Sequence, residues 1–599
     1  DGPAAGRARP SVPLDALWLT VIAVSLWVWG AARVDVNGMS DAGLISVLGW
    51  PVLAAFGVLA LATVRSLAEV ERSGRLLALQ TVALVVMVQG LPAVVEPHPS
   101  YFTAYLHVGF VQEIVATGRT VPGLDARFNW PGSFALGALI TSVGGTDSAL
   151  TFLRWSPTFF NLAYLAPLWM IGRSVVADVR VRWIALWLFV AANWVHQDYF
   201  APQAETYFLY LVVVAVVLRW FGNPGAAVAG RWSARAPRVL ARLRGERDRL
   251  TRLDAGSGEA VRTDDATDRM LVRALVVILA AVVVSHQITP FAALLVLGAL
   301  VAIDRCWLRT LPMIVLVLFA GWFAVGATTW WSDHLGELIG DFGKFGSNVS
   351  SGVLGRLGGT DPMRSFVLAL RVLFSGAMLG GGALVALRRW RRGAPPLVLL
   401  AILLPPFALA GGQSYGGEVL LRSYLFALPA STLLVAEAIR GGPRARFGRR
   451  RVAVTAVVLG LIALGGVAVR FGNERFEQVT SSDLAASEWV YANAPRGSVL
   501  ISPTRNVPWR YRDLTAYDYE PTDEEPIDKA SEVLAYVPDD APAYFLASDA
   551  QERFGAQLGF LDDGWLPRLE RALLATGRAT EVFRSGDAVV YRLDPEPAP

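Results

Sequence analysis

Long apolar segments recur along this chain and constrain its fold more than any other feature. A helix that spans the hydrocarbon core of a bilayer needs about 20 mostly apolar residues. About thirteen such segments occur, and they predict a mainly α-helical, polytopic membrane protein with about 13 transmembrane helices. The segments lie at about 15–33, 43–64, 76–95, 150–172, 181–195, 204–221, 268–285, 287–303, 308–330, 365–387, 395–411, 421–439 and 452–470.

The composition also indicates a membrane protein. Hydrophobic residues make up 54% of the chain and charged residues only 17%, whereas soluble domains are about 25% charged. Tryptophan, present 20 times, is enriched where membranes meet water. The single cysteine, Cys306, excludes an intramolecular disulfide. No small-residue cleavage site follows the first apolar segment, so we interpret that segment as a retained span and not a signal peptide.

Arginine-rich loops alternate with arginine-poor loops, which predicts the orientation of the chain. Loops on the cytoplasmic side of a membrane carry an excess of Lys and Arg. The start "GRARP" and the loops "RSLAEVERSGR", "GRSVVADVRVR", "DRCWLR", "RRWRR" and "RGGPRARFGRRR" fit that side. Counting the short, glycine-rich segment 131–144 as a span would break this alternation, so we interpret it as juxtamembrane or re-entrant. We expect a cytoplasmic N-terminus and an outer C-terminus.

The chain divides into two predicted domains. Residues 1–470 form the transmembrane domain, with a first outer loop at about 96–149 and a cytoplasmic, Arg-rich loop at about 222–267. We interpret the Arg-rich loop as a solvated linker near anionic headgroups. In residues 471–599, helical patterns alternate with short strand-like segments, and neither a phosphate loop nor a metal-ligand spacing occurs. This pattern predicts a small C-terminal α/β domain on the outer side.

Histidine and acidic residues gather in the predicted outer loops. Histidine suits acid–base chemistry and phosphate contact near neutral pH. A solvated loop residue is the ordinary alternative for each one taken singly. The histidines are His98, His107, His196, His286 and His334, and the acids that accompany them are Glu96, Asp125, Asp198, Glu205 and Glu418.

The first outer loop contains a predicted surface helix. In "SYFTAYLHVGFVQEIVATG" apolar residues follow at helical spacing, which indicates an amphipathic helix on the membrane surface that ends at Gly118. The next stretch, "VPGLDARFNWPGSFALG", places Asp125, Arg127 and Asn129 just before the glycine-rich apolar segment. These three polar residues are candidates for contact with a substrate.

Later outer loops contain further polar groups. Asp198 and Glu205 are seven residues apart and would share one face of a helix, although Pro202 argues against a helix over the first half. A carboxylate at a span end can also simply mark the water boundary. Glu418 and Arg422 are four residues apart and can pair on one helix face.

Two arginines open the tenth span. Arg364 and Arg371 are seven residues apart on one helix face, and helical rise places Arg371 about 10 Å inside the span. A charge at that depth is costly and usually has a partner or a function. A lipid-linked phosphate fits, because arginine offers forked donors. Snorkelling to the surface beside a carboxylate is the alternative.

These features resemble the GT-C superfamily of integral-membrane glycosyltransferases that use polyprenyl-phosphate-linked sugars. The resemblance rests on an apolar span ending in an acid, a surface helix, "G-x-x-x-P", the run "FNWPG", a span ending in "GRS" and the outer motif "HQDYFAPQAE". The motifs of the family are matched over about residues 90–210. The arrangement of spans and outer domain is matched over the whole chain and is similar to that of actinobacterial arabinosyl- and mannosyltransferases. The usual first-loop acid is Asp, whereas this chain has Glu96-Pro97. The signature Trp-Trp-Asp-Tyr-Gly is absent, which argues against en bloc transfer to asparagine.

The resemblance implies an inverting transfer of one sugar from a polyprenyl-phosphate donor to a cell-envelope glycan or glycolipid, at the outer face of a bacterial plasma membrane. It implies Glu96 as general base, with Asp125 and Asp198 as alternatives. The implied donor-phosphate ligands are Arg371, Arg422, His286 and Arg364. The implied substrate-binding residues are His98, His107, Arg127, Asn129, His196, Glu205 and Glu418.

Three other function classes remain open at this point. A ligase or polymerase of lipid-linked oligosaccharides would use a polyprenyl diphosphate donor, and a flippase or transporter would move a lipid-linked glycan without transferring it. A structural membrane scaffold would present the C-terminal domain without catalysis, although the polar outer loops argue against it. The sequence indicates no cofactor and leaves a divalent cation open. We expect a monomer that contacts the bilayer, the lipid donor and the acceptor, but no nucleic acid. Arabinofuranose and mannose are the candidate sugars, by resemblance only.

Overall fold

The computed structural model of the chain describes residues 13–222, 261, 263–331, 362–412, 418–441, 448–521 and 526–595. The predicted Arg-rich loop at about 222–267 falls largely outside these residues, and so does His334. The side on which the residues after Arg470 lie is called the outer side below.

Each predicted span coincides with a helix, and the described chain is a mainly α-helical, polytopic membrane protein, as expected. The predicted span at 395–411 is a helix followed by the 3-10 turn Pro405–Gly411. In chain order the helices up to residue 470 are α1 Leu14–Ala31, α2 Trp50–Ala68, α3 Val70–Gln89, α4 Leu91–Val95, α5 Phe102–Thr117, α6 Gly132–Gly144, α7 Leu150–Leu153, α8 Ser156–Val175, α9 Val179–Ala192, α10 Pro202–Trp220, α11 Asp265–Ser285, α12 Thr289–Ala302, α13 Leu311–Val325, α14 Pro362–Arg391, α15 Leu397–Leu403, α16 Val419–Arg440 and α17 Arg449–Arg470.

Six helical stretches of the described chain are long and apolar enough to cross a membrane by themselves. Several of them expose large apolar side chains, which in a soluble protein would form an unusual patch and here suit contact with lipid. The six are Leu14–Ala31, Trp50–Ala68, Pro202–Trp220, Pro362–Arg391, Val419–Arg440 and Arg449–Glu477, and the shorter apolar helices are Gly132–Gly144, Thr289–Ala302, Leu311–Val325 and Leu397–Gly411. Exposed apolar residues include Trp18, Ile22 and Val28 on α1, Phe366 and Leu373 on α14, and Val457 and Leu461 on α17.

Helices α9 and α16 form the centre of the membrane part. Both are apolar on all sides and buried for most of their length, as helices surrounded by other helices are. Buried aromatic residues there direct their polar tips at backbone carbonyls. The Tyr424 hydroxyl donates to the Ala192 carbonyl at 2.9 Å, and the Tyr207 hydroxyl donates to the Leu425 carbonyl at 2.9 Å. These bonds fix the outer end of α16 against α9 and α10.

The residues after Arg470 form the predicted small α/β unit. Its five-stranded sheet has the order β2-β1-β3-β5-β4, with β1 parallel to β2 and β3 and with β5 antiparallel to β3 and β4. Helices cover both faces, so each face buries an apolar layer. The strands are β1 Val499–Ile501, β2 Asp518–Glu520, β3 Ala543–Ala547, β4 Ala579–Ser585 and β5 Ala588–Leu593, and the helices are α18 Glu474–Glu477, α19 Ser481–Asn493, α20 Ala530–Ala535, α21 Asp549–Gln557 and α22 Trp565–Ala575.

The predicted surface helix is α5, and it ends at Gly118, which has φ +68°. Its apolar residues Tyr105 and Val108 are buried in a cluster that includes Phe134 of α6 and Tyr511 from the C-terminal region. The sequence pattern predicted that this apolar face would lie on the membrane. In the structure, much of that face packs against protein instead.

One glycine permits this packing. A Cβ atom added at Gly109 of α5 would lie 1.7 Å from the backbone oxygen of Arg510. We expect Gly109→Ala to lower the free energy of unfolding by about 1–3 kcal/mol, because the backbone around Arg510 must move. Thermal unfolding of the purified protein in one detergent measures this loss. The control is Gly57→Ala, a helical glycine with no atom within 4 Å of an added Cβ; equal stability of both variants would contradict the close approach.

Candidate active site

Glu96 lies where α4 ends. Pro97 disfavours helical geometry at the residue before it, and Glu96 accordingly adopts an extended conformation, with φ −97° and ψ 145°. The Arg154 guanidinium fixes this exit by donating to the carbonyls of Ala93 at 2.7 Å and Glu96 at 3.1 Å. The side chain of Glu96 is directed inward, and the residue is 3% exposed.

A second carboxyl group lies beside Glu96. The Ser100 hydroxyl is in hydrogen-bond contact with Glu96 Oε2 and with Glu474 Oε1 of α18. Burial and the negative charge of Glu474 raise the pKa of the Glu96 carboxyl well above its usual range. Sequence reasoning missed Glu474, whose only signal is its position just after the last span. We call Glu96 and Glu474 the carboxyl pair.

Tyr101 and His196 connect the first outer loop to the end of α17. The Tyr101 hydroxyl contacts His196 Nδ1, and His196 Nε2 contacts the backbone oxygen of Arg470. A carbonyl only accepts, so Nε2 carries the hydrogen and Nδ1 accepts from the tyrosine. Burial and the charges of Arg470 and Arg371 lower the pKa of His196 well below its usual range. His196 is therefore a neutral, buried link.

The same two residues carry backbone strain. Tyr101 has φ 74° and His196 has φ 56°, values in the left-handed region that non-glycine residues rarely adopt. Such a residue costs on the order of 1–3 kcal/mol and tends to occur at functional sites. Two strained residues in direct contact mark this part of the outer surface as a constrained site.

Asp198 forms an ion pair with Arg470. Arg470 Nη2 lies 2.7 Å from Asp198 Oδ1, and both side chains are only 3% exposed. The other oxygen of Asp198 accepts from Asn161 Nδ2 at 2.6 Å, and Arg470 Nη1 donates to the Asn193 backbone oxygen at 2.9 Å. Since both carboxylate oxygens are occupied, the geometry favours Glu96 over Asp198 as the base. We call these residues, with His196, the Arg470 network.

Arg371 also contacts the end of α17. Its Nε donates to the Val469 carbonyl at 2.7 Å and its Nη2 to the Arg470 carbonyl at 3.3 Å. The carboxyl end of a helix carries partial negative charge, so it suits a buried cation. Arg364 lies two turns earlier in α14, with its guanidinium 5.3 Å from the ring centre of Phe476. The predicted phosphate roles of Arg364 and Arg371 stay predictions.

Asp125 pairs with Arg127, and Asn129 binds the backbone of the same loop. Arg127 Nη2 lies 2.7 Å from Asp125 Oδ2. Burial by itself would raise the pKa of Asp125, but the Arg127 guanidinium outweighs it and lowers that pKa. Asn129 Nδ2 donates to the carbonyls of Pro122 and Ala126. A paired carboxylate with a lowered pKa is a weak base, which again favours Glu96.

The two histidines of the first outer loop differ in environment. His98 is half-buried, and its Nε2 lies 3.1 Å from the Ser481 hydroxyl oxygen. His107 is 3% exposed, contacts the Phe200 carbonyl through Nδ1 at 2.8 Å and stacks on Tyr199. Burial lowers the pKa of His107 to about 3. The surroundings of His107 are those of a neutral core residue, whereas His98 remains accessible to a substrate.

Arg422 lies at the centre of another polar group. Its Nη1 donates to Gln203 Oε1 at 2.7 Å and lies 3.3 Å from His286 Nε2, and its Nη2 lies 3.0 Å from Glu418 Oε2. The predicted pairing of Glu418 with Arg422 is confirmed. Gln203, in the first turn of α10, was missed by sequence reasoning. We call these four residues the Arg422 cluster; the predicted residue Glu205 lies in the same turn of α10 as Gln203.

Two backbone N–H groups fix the tautomer of His286. Those of Ile288 and Thr289 both donate to Nδ1 at 3.3 Å, so Nδ1 holds the lone pair and Nε2 carries the hydrogen. The Thr289 hydroxyl lies 3.0 Å from the same Nδ1 and 3.0 Å from the Thr206 hydroxyl. His286 Nε2 and Arg422 Nη1, which are 3.3 Å apart, are therefore both donors. Burial and the nearby Arg422 charge lower the pKa of His286 well below its usual range, which keeps the ring neutral.

The structure thus collects most of the predicted site residues into a few groups near the outer helix ends. The Tyr101 hydroxyl contacts His196 of the Arg470 network, and its backbone N–H donates to the Glu477 carbonyl of α18 at 3.2 Å. Asp198 and Glu205 do not share a helix face, because α10 begins at Pro202. In the part of the chain that the structure describes, no three His, Cys, Asp or Glu side chains are placed to hold a metal ion.

No protein-family model and no curated protein sequence matches this chain. Among solved structures, ArnT from Cupriavidus metallidurans bound to undecaprenyl phosphate matches at TM-score 0.49 and 14% identity, over 87% of this chain and 98% of that one. The Archaeoglobus fulgidus oligosaccharyltransferase, tethered to an acceptor peptide, matches at TM-score 0.43 and 12% identity, over 83% of this chain and 71% of that one. The mycobacterial arabinofuranosyltransferase AftD matches at TM-score 0.42 and 14% identity, over 87% of this chain and 42% of that one.

Over most of its length, this chain is similar in structure to all three of these proteins.

Proposed function

We propose that this protein is an inverting glycosyltransferase of a bacterial plasma membrane, with its site on the extracytoplasmic face. It moves one sugar from a polyprenyl-phosphate carrier to a hydroxyl of a cell-envelope glycan or glycolipid. The observation that carries the proposal is Glu96, a buried carboxyl with a raised pKa at the outer end of a membrane helix. A general base works best when its pKa lies near the working pH.

The proposed reaction is a single displacement. Glu96 takes the proton of the acceptor hydroxyl as that oxygen forms a bond with the anomeric carbon of the sugar. The bond from the anomeric carbon to the phosphate oxygen breaks, and polyprenyl phosphate leaves with the electron pair. Attack from the side opposite the leaving phosphate inverts the anomeric centre. The developing charge on the phosphate requires cations or hydrogen-bond donors placed in advance.

The Arg422 cluster supports the phosphate part of the proposal. Arg422 offers forked donors in a buried setting, where a charged hydrogen bond is strong. In this structure Arg422 Nη2 is paired with the Glu418 carboxylate, so a bound phosphate oxygen would displace that carboxylate from Nη2. Arg371 donates to backbone carbonyls at the end of α17, so we assign the phosphate first to Arg422 and His286.

Transfer by the purified protein tests this function. The protein, held in lipid nanodiscs without ATP or an ion gradient, receives synthetic polyprenyl-phosphate arabinofuranose or mannose and an envelope glycan acceptor. Mass spectrometry then detects the added sugar, and NMR of the product determines its anomeric configuration. Transfer only from a polyprenyl diphosphate oligosaccharide would indicate a ligase or polymerase. Movement of the lipid across a vesicle without transfer would indicate a flippase.

Arg422→Lys provides a test of the phosphate site. A lysine keeps the charge but loses the forked donor geometry. We expect the KM for the lipid donor to rise about 10- to 100-fold, the worth of one hydrogen bond to a charged group. Steady-state kinetics at varied donor concentration measure this change. The matched control is Arg440→Lys. Arg440 is a buried arginine at the other end of α16 and pairs with Asp178 at 2.8 Å. An equal rise in the KM of this control would contradict a specific role of Arg422 in donor binding.

A further inference from the structure

The Ser100 hydroxyl contacts two carboxyl groups at once. Its oxygen is in hydrogen-bond contact with Glu96 Oε2 and with Glu474 Oε1. A serine hydroxyl has one hydrogen to donate. One hydrogen shared between two carboxylate oxygens makes both contacts weak, whereas a proton on either carboxyl allows two full hydrogen bonds. The contacts therefore favour one proton on the pair.

The burial of both carboxyl groups also favours one proton on the pair. Glu96 is 3% exposed and Glu474 is 1% exposed. The remaining oxygens, Glu96 Oε1 and Glu474 Oε2, are buried and accept no hydrogen bond from a donor among the described residues. Two negative charges buried together repel strongly, and a single shared proton removes that repulsion.

We propose that Glu96 and Glu474 share one proton, and that Glu474 is a positioning residue that sets the protonation state of Glu96. This inference rests on the proposed function, since Glu96 is the proposed base. Glu96 can act as a base only when its carboxyl is ionised, that is, when the shared proton is not on Glu96. The acceptor hydroxyl then gives its proton to Glu96 Oε1, the oxygen without a hydrogen-bond partner in the described part of the chain. Glu474 acts only through Glu96 and Ser100.

Other charged and titratable groups face the pair and act on it less directly. From α18, Glu477 adds a second negative charge near Glu96. From the end of α17, Arg470 acts on Glu474 in the opposite sense. The remaining groups that face the pair are Tyr101 and Tyr105 on the first outer loop and α5, and Arg154, whose guanidinium binds the Glu96 carbonyl.

Glu474→Gln tests the shared proton by the pH dependence of transfer. Only an ionised Glu96 accepts a proton, so the rate rises with pH through the pKa of Glu96. A glutamine at 474 removes the neighbouring negative charge and can donate its amide hydrogen to Glu96. We expect the rising limb of the kcat profile to move to lower pH by at least about one unit, with the KM for the lipid donor unchanged. A fall in kcat at every pH without this displacement would overturn the inference.

Infrared spectroscopy tests the proton without any assay of activity. With 13C-labelled glutamate, the carbonyl band of protonated carboxyl groups is followed against pH in wild type and in Glu474→Gln. We expect the band assigned to the pair to disappear at lower pH in the variant, and Glu96→Gln to remove the same band. Glu477→Gln is the matched control with a smaller expected shift. Identical titrations of wild type and Glu474→Gln would overturn the shared proton, whereas absence of transfer by wild type would overturn only the proposed function.

Discussion

Glu96→Gln is expected to lower the rate of sugar transfer about 10²- to 10⁴-fold, the usual contribution of a general base. Glutamine has nearly the shape of glutamate and can keep the contact with Ser100. It cannot take a proton from the acceptor hydroxyl. The loss should appear in kcat, while the KM for the lipid donor changes little, because the Arg422 cluster is intact. Single-turnover transfer at saturating donor measures the chemical step.

The control for this substitution is Glu71→Gln. Glu71 is an exposed glutamate in the first turn of α3, at the end of that helix far from Glu96. We expect its replacement to leave the rate unchanged. Full transfer activity in Glu96→Gln would contradict the role of Glu96 and return Asp125 and Asp198 to consideration.

Asp198→Ala is expected to lower the free energy of unfolding by about 3–5 kcal/mol. The substitution leaves the Arg470 guanidinium buried without its carboxylate, and breaking a buried ion pair by removing one partner has a cost of this size. Asn161 also loses its acceptor. Thermal or denaturant unfolding in one detergent, followed by tryptophan fluorescence, measures the loss.

An exposed ion pair supplies the comparison. Glu532 pairs with Lys529 at 2.7 Å, with side chains 44% and 66% exposed. Exposed pairs contribute about 0–1 kcal/mol, so Glu532→Ala should unfold almost as wild type does. If Asp198→Ala were as stable as wild type but inactive, Asp198 would be a catalytic candidate and not a structural one.

The transmembrane helices could be predicted from sequence because hydropathy is a local property. Each span could be predicted from the residues within it alone. The end of α5 could be predicted from Gly118, because glycine readily adopts the left-handed conformation that ends many helices. The pairing of Glu418 with Arg422 was also accessible, since helical spacing alone brings residues four apart together. Glu96 became a candidate for a similar reason, as the acid that directly follows an apolar segment.

The rest of the site depends on contacts between distant parts of the chain. Ser100 and Glu474 are 374 positions apart in sequence, and neither hydropathy nor spacing connects them. The environment of His107 could not be predicted either. Its place among polar loop residues suggested a substrate contact, whereas in the structure its ring lies among Phe110, Phe134 and Tyr199. The sequence presented Asp198 as a candidate base like Glu96 and Asp125. Its buried ion pair with Arg470, 272 positions away, is visible only in the fold.

The position of Glu474 has a consequence for how such a protein can be divided or recombined. Its carboxyl belongs to α18, shortly after the last membrane helix, yet it completes the surroundings of Glu96 from the first outer loop. A chimera that kept the membrane helices and exchanged everything after residue 470 would inherit the proposed base without its neighbour. The two halves are therefore not interchangeable modules, and a working graft must carry α18 together with the membrane part.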